Sequence, residues 1–409
     1  MDLQKIRSEL ETYKKRLEII KSELDKYYFK SKISYDLVIL DDIFPLLLSA
    51  FRIAEYNSYL NIFPKSLVLS TGTTIQNIDP NLSFAGVASE YESLYPQFKG
   101  RVRKFDDRIS INAKLIYTVF INNIFYFINF IEINNIPFVF TLYPGGGFHI
   151  DEEAANQKLI RVFSSPNFRK VIVTQKNSYE YLIDKRFCKP NQIEFIYGGV
   201  LPSDRLNNYS STKKYYKQNK NTFDICFVAN KYQPTGMVKG YDIFIEVAKQ
   251  LATQHNDFRF HIVGGHQRND IDVSLLENHI FFYGRRNTDF FPSFYSSMDL
   301  ILSPNRPAYL PGAFDGFPTG CCVEAVLCGV ALFCTDCLNL NIIFKDREEI
   351  VLISLNVPEI CEIIEDYYYN YDRLCKLAQK GQEAFKKIFD IKSQIEPRLK
   401  IIQEILKTP

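Results

Sequence analysis

The sequence has no tryptophan, three methionines, five histidines and almost no imbalance of charge. The last of these is the most restrictive. With 49 Lys and Arg against 47 Asp and Glu, the formal charge is +2, which excludes an acidic disordered chain and implies no basic surface of the kind that binds nucleic acid. Nor is there a long uninterrupted apolar run. The most apolar stretch, Leu115 to Phe140, is broken by Asn122, Asn123, Asn129, Glu132, Asn134, Asn135 and Pro137, so it does not read as a bilayer span, although peripheral membrane contact stays open. No apolar block with a small-residue cleavage site follows Met1, so no signal peptide is expected. The nine cysteines are odd in number and cluster late, at Cys321, Cys322, Cys328, Cys334 and Cys337, inside apolar runs. That is not a disulfide framework, and the reducing cytoplasm is the expected compartment.

What is present is enough for two or three domains: 409 residues, 46% hydrophobic, with 26 Tyr and 34 Phe. That many aromatics suits aromatic-lined clefts and equally reflects a composition rich in Tyr, Ile, Asn and Lys. Leu3, Ile6, Leu10, Tyr13, Leu17, Ile20, Leu24 and Tyr27 alternate at spacings of three and four, a heptad seam. It predicts a helix over 1–32 that either pairs with a second copy, giving a homo-oligomer through residues 1–30, or lies on its own globular domain.

From Asp36 the period changes. Asp36 to Leu40, Ser66 to Leu69, Lys114 to Phe120, Pro137 to Leu142, Lys170 to Thr174 and Gln192 to Ile196 read as buried strands separated by helix-length stretches, which makes 33–202 one parallel α/β domain. Residues 203–222 carry Asn, Ser and Lys with no apolar period and read as a linker. A second α/β series over 223–385 offers strands at Asp224 to Val228, Arg259 to Val263, Ile280 to Tyr283, Leu300 to Ser303 and Val330 to Cys334. The end of the chain reads as helical, with 386–409 a candidate to pack back on the first domain. Two doubly wound domains with facing carboxyl edges enclose a cleft, where ligands bind.

The most informative stretch is Phe314-Asp315-Gly316-Phe317-Pro318-Thr319-Gly320, between a buried strand and a helix. Its amides and the positive end of the helix dipole suit a pyrophosphate, and Gly316 and Gly320 let the backbone approach closely. Glu324, one turn on, can accept both hydroxyls of a ribose. The glycines Gly145 to Gly147 are not a dinucleotide fingerprint. Asp270-Ile271-Asp272 has the Asp-x-Asp form of metal-dependent sugar transferases of another fold but lies in a polar loop and reads as solvent-facing. Cys334 to Cys337 has metal spacing with no second pair to complete a site. His261, mid-strand among apolar residues, reads as structural.

With these residues the sequence resembles the retaining glycosyltransferases of family four, whose GT-B fold is two facing Rossmann-like domains, over most of 33–405. In that family two acidic residues with seven residues between them bracket such a loop. Glu324 matches the second, which holds the ribose; Asp315, the candidate for the sugar-contacting first, is Asp in place of Glu and has eight residues, not seven, between it and Glu324. Lys239-Gly240 matches the family's Lys-Gly, and Asn230 occupies the place of its Arg, with Lys231 beside it; the family uses that Arg and Lys to neutralise the departing diphosphate. Gly265 matches the turn before the base pocket, and Arg285 the next strand end. Tyr143 stands where many members have a His, and His149 follows six residues later.

The resemblance implies a hexosyl or related transferase for which a nucleotide sugar is the donor substrate, with no cofactor and no obligatory metal. Lys239, Lys231, Asp315 and His149 are its candidate catalytic residues. Asn230, Gly265, Arg285, Gly316, Phe317, Thr319, Gly320 and Glu324 are the donor-binding candidates. The acceptor, a glycan, lipid-linked group or protein, should meet the first domain at Asp41-Asp42-Ile43-Phe44 and Tyr143 to His149. Surface polysaccharide synthesis at the inner face of the membrane is the setting the family implies. A non-catalytic GT-B-like scaffold and a nucleotide-sugar epimerase remain as alternatives.

Overall fold

The computed structural model describes residues 29–207, 213–231, 236–307 and 311–407. The heptad seam expected from Leu3 to Tyr27 lies outside them. Thirteen strands among the described residues form two sheets, and every neighbouring pair of strands runs parallel. The first holds β1 (Phe29–Asp41), β2 (Ser66–Ser70), β3 (Val102–Lys104), β4 (Ile109–Val119), β5 (Phe138–Leu142), β6 (Phe168–Val173) and β7 (Ile193–Phe195), in the order β3-β2-β1-β4-β5-β6-β7. The second holds β8 (Phe223–Val228), β9 (Phe258–Val263), β10 (Ile280–Phe282), β11 (Leu300–Ser303), β12 (Ala331–Cys334) and β13 (Val351–Leu352), in the order β10-β9-β8-β11-β12-β13. Both are doubly wound, with strand order reversing between β1 and β4 and between β8 and β11.

These strands read as unbroken apolar runs because helices cover both faces of each sheet. Every residue of β2, β5, β11 and β12 is buried. The strands without such a run, β3 and β13, are edge strands of three and two residues. β1 is longer than its apolar core and begins at Phe29, so residues 29–32, expected to belong to the heptad helix, are strand instead.

The expected linker is also shorter than its composition suggests. Residues 203–207 are helical, and from Lys213 the chain is already packed on the second sheet. Lys220 bonds Asp224 at 2.6 Å and Asp299 at 2.5 Å, and Tyr216 packs on Phe223. The boundary expected at residue 385 falls inside helix Tyr371–Phe389, and a new helix, Ile391–Lys407, begins two residues after it ends.

That last helix returns to the first domain. Its Ile395, Ile401 and Ile402 join Leu37, Leu115, Tyr56 and Tyr59 in one apolar cluster. Beneath lies a buried polar knot. The Glu55 carboxylate accepts from the hydroxyls of Tyr59 and Tyr143, each at 3.0 Å, and of Tyr117, and pairs with Arg398 at 3.8 Å; both charged side chains are wholly buried. Arg398 is fixed in turn by the Gln394 carbonyl at 2.7 Å. No helix among the described residues is long and apolar enough to cross a membrane.

Removing Arg398 would strand the Glu55 charge away from water. Arg398→Ala is expected to lower unfolding free energy by about 3–5 kcal/mol in a urea titration. Arg373→Ala, which breaks an exposed pair with Asp366, should cost less than about 1 kcal/mol.

Candidate functional site

The crevice of a doubly wound sheet opens at the carboxyl edge where strand order reverses. In the second sheet that point lies between β8 and β11, and the turns leaving these strands carry most of the expected site residues. Lys239 closes the short turn Met237–Lys239, and Gly240 follows it with φ +72°. A Cβ at Gly240 would lie 2.0 Å from the Pro304 carbonyl oxygen, so a glycine is what lets the two turns touch. Arg306 rivets them together. Its backbone amide donates to the Val238 carbonyl at 2.9 Å, its Nε to the Met237 carbonyl at 3.1 Å, and its Nη2 reaches both carboxylate oxygens of Asp242 at 2.6 Å. On this base the Lys239 ammonium donates to the Asp315 carboxylate at 2.5 Å. The two residues singled out for opposite ends of the donor are therefore in contact.

At the end of β8, Asn230 is exposed, and Lys231 turns to Asp270, with Nζ 2.5 Å from Oδ1. Asp270, expected to face solvent, does not: its side chain is 10% exposed and its other oxygen accepts from the Gln267 amide at 2.8 Å. The turn folds back over β8 because Gly264, at φ +134°, brings its backbone to where a Cβ would sit 1.9 Å from the Ala229 carbonyl oxygen. Burial alone would raise the Asp270 pKa, but the bonds from Lys231 and Gln267 hold it below the usual carboxylate range. Gly265 lies against Lys231 and Arg285, and the Arg285 guanidinium spans to the first domain, donating to the Ile78 carbonyl at 2.8 Å.

Helix Gly320–Leu327 starts without a side-chain cap. Its N-cap residue, Thr319, turns its hydroxyl to Cys321 and Cys322, at 3.2 and 3.1 Å. The first amides and the positive end of the dipole therefore carry no side-chain acceptor. Glu324 sits one turn in, 7% exposed, with its pKa pushed up to about 8 by burial and then by the neighbouring Cys321. The loop before this helix is docked across the cleft. The Gly312 carbonyl accepts from the Ile150 amide at 2.8 Å, the rings of Phe314 and Phe148 meet at 5.6 Å, and the Phe317 carbonyl accepts from the Tyr197 hydroxyl at 2.8 Å. Gly316 is the loop residue next to Phe317 and lies against Gln175 and Pro144 of the first domain.

The first domain departs from expectation more. Asp41 is fully buried and holds the turn after β1, accepting from the amides of Ile43 and Phe44, from Arg52 at 2.9 Å and from Tyr56 at 2.7 Å, so it offers no oxygen to an acceptor. Asp42 is bonded to Thr74 at 2.5 Å and Asn123 at 3.1 Å. The Tyr143 hydroxyl turns inward to Glu55. His149 is partly exposed, with Nδ1 3.2 Å from Glu152. His261 is structural, as read, bonded to Asp224 at 2.7 Å and Tyr283 at 2.9 Å. Asp270 as the partner of Lys231, Arg306, Tyr197 and Gln175 escaped sequence reading, as did His266. That histidine is buried against Tyr241 and Phe227 and kept neutral by a pKa lowered to about 4, chiefly by burial.

Residues 222–370, most of the second domain, match the family model described as Glycosyl transferases group 1. No curated protein is significantly similar to the chain in sequence. Among solved structures, HepE of Anabaena in complex with UDP is 17% identical, with a TM-score of 0.63 over 90% of this chain and 100% of that one. Sucrose-phosphate synthase of Thermosynechococcus elongatus is 13% identical, with a TM-score of 0.59 over 91% and 100%. A glycosyltransferase of Rickettsia africae is 15% identical, with a TM-score of 0.58 over 92% and 100%. At these identities the likeness establishes the fold, which is GT-B.

Glu324 also makes the site a source of pH dependence. Its pKa is raised from an ordinary 4.5 to about 8, so between those values the folded chain keeps a proton that the unfolded chain releases. Stability from this group is therefore full below about pH 4.5, falls as pH rises, and levels off above about pH 8. Glu324→Gln should remove that slope and stabilise the ligand-free protein by roughly 2–4 kcal/mol at pH 8 relative to its effect at pH 5, read from urea unfolding at the two values.

Proposed function

We propose that the chain is a retaining, metal-independent glycosyltransferase that moves a sugar from a nucleoside diphosphate to a hydroxyl of a glycan, lipid-linked or protein acceptor in surface polysaccharide or glycoconjugate synthesis. The observation that carries this reading is the contact of Lys239 with Asp315 where the turns from β8 and β11 meet, inside the segment that matches group 1 glycosyltransferases. Uridine is the proposed base. Supporting it, HepE has been crystallised with UDP and with UDP-glucose, and the pneumococcal O-GlcNAc transferase GtfA with UDP and GlcNAc.

In this reading the donor lies along the carboxyl edge of the second sheet. Its diphosphate carries more charge than a carboxylate and displaces Asp315 from Lys239, while the uncapped amides of helix Gly320–Leu327 hold a second phosphate oxygen. Lys239, with Lys231 behind it, supplies the positive charge that a metal ion would otherwise bring. Glu324 takes the ribose hydroxyls, and Asp315, once released, faces the sugar beside Gly316 and Phe317. The bond from the anomeric carbon to the phosphate oxygen breaks as the acceptor oxygen bonds to the same face. The acceptor's proton passes to the departing phosphate, which leaves as the nucleoside diphosphate.

A second reading is a subunit that binds the donor without turnover. It is favoured by the exposed Asn230 in the place of an arginine and by the hold of Asp270 on Lys231.

A thermal-shift panel of UDP, GDP and dTDP separates these from a protein that binds no nucleotide. One diphosphate at about 100 times its Kd should add about 2.7 kcal/mol of stability. Lys239→Ala, which removes one charge-assisted contact, should weaken that ligand about 10- to 100-fold. Release of free UDP from UDP-glucose in the presence of acceptor then distinguishes transfer from binding alone.

A further inference from the structure

The first turn of helix Lys176–Asp184 leaves three buried side-chain oxygens without a hydrogen-bond partner: Gln175 Oε1, Asn177 Oδ1 and Ser178 Oγ. Folded proteins leave only a few such groups per hundred residues, so three within one turn require a cause. The turn follows β6 at the carboxyl edge of the first sheet, directly across from the loop of the second domain that contains Gly316 and Phe317. Gln175 is 2% exposed and is the N-cap residue of the helix, yet it does not cap it. Its Nε2 makes one long bond of 3.4 Å to the Phe317 carbonyl, which Tyr197 already satisfies at 2.8 Å, and it lies 3.3 Å from where a Cβ on Gly316 would stand.

A carboxamide with one dispensable bond and one idle acceptor can both donate to and accept from a hydroxyl. Carboxamide and hydroxyl oxygens in a row favour a neutral partner that donates hydrogen bonds over a phosphate, which carries only acceptors. On the donor-site reading, Gly316 and Phe317 lie between the acidic residue beside the sugar and the helix start beside the diphosphate, which is where the transferred sugar sits. We propose that Gln175 is a donor-specificity residue of the first domain, binding a hydroxyl of the transferred sugar when the cleft holds a nucleotide sugar. It thereby takes the part that the inward-turned Tyr143 and the Glu152-bound His149 do not fill.

The test compares Gln175→Leu and Gln175→Met with the wild type by calorimetric titration of UDP, UDP-glucose, UDP-galactose and UDP-N-acetylglucosamine, with the GDP and dTDP counterparts in parallel. Both variants remove an unsatisfied oxygen and one long bond, so both should fold, and Met keeps the reach of the side chain. The wild type should bind one nucleotide sugar more tightly than its bare diphosphate. The variants should lose about tenfold on that nucleotide sugar while binding the bare diphosphate within about twofold of wild type. Equal losses on both ligands, no loss on either, or a wild type without preference for the sugar would overturn the assignment. A wild type that binds no nucleotide at all would instead remove the donor-site reading on which it rests.

Discussion

A parallel strand delivers its chain to one edge of the sheet, so every turn that follows a strand accumulates there, and two such sheets facing each other gather all of those turns into one cleft. This constraint explains why residues far apart in sequence meet at the candidate site. Lys239 and Asp315 are 76 positions apart, yet they follow the two central strands of the second sheet, at the point where strand order reverses. Gly240, tight against Pro304, and Arg306, bonded to Met237, Val238 and Asp242, hold the turns that leave those strands against each other.

The site is organised around charges that already have partners. Lys239 is held by Asp315 and Lys231 by Asp270, and the cleft is bridged by Arg285, Ile150 and Tyr197. A ligand that binds there must offer each lysine something better than an aspartate. A diphosphate does so because of its charge and because a helix start with unclaimed amides lies beside it. The buried, protonation-prone Glu324 fits the same pattern, since burial that is costly to a lone carboxylate becomes tolerable when hydroxyls are bonded to it.

Much of the fold was legible because double burial writes a strand as an apolar run: β5 and β12 are visible at a glance, while β3, whose Arg103 and Lys104 are exposed, is not. The loop from Phe314 to Gly320 was legible because glycine and a helix start leave a local signature. Ion-pair partners leave none. Asp270 looks like any polar-loop aspartate until the turn at Gly264 carries it back to Lys231, 39 positions away. Asp41 looked like an acceptor contact because it ends a strand at the cleft, but the neighbouring amides and Arg52 claim its oxygens. Gln175 is a neutral side chain in no motif, and only its burial against Phe317 singles it out.

On the proposed reading, Asp315 occupies the place on Lys239 that the diphosphate of the donor would take. The most direct test is the affinity of Asp315→Asn for UDP, measured by titration calorimetry beside the wild type at one ionic strength. Loss of the competing carboxylate and of its repulsion should tighten UDP binding by about 3- to 10-fold. Unchanged or weaker binding would show that the Lys239–Asp315 pair does not stand where the diphosphate goes.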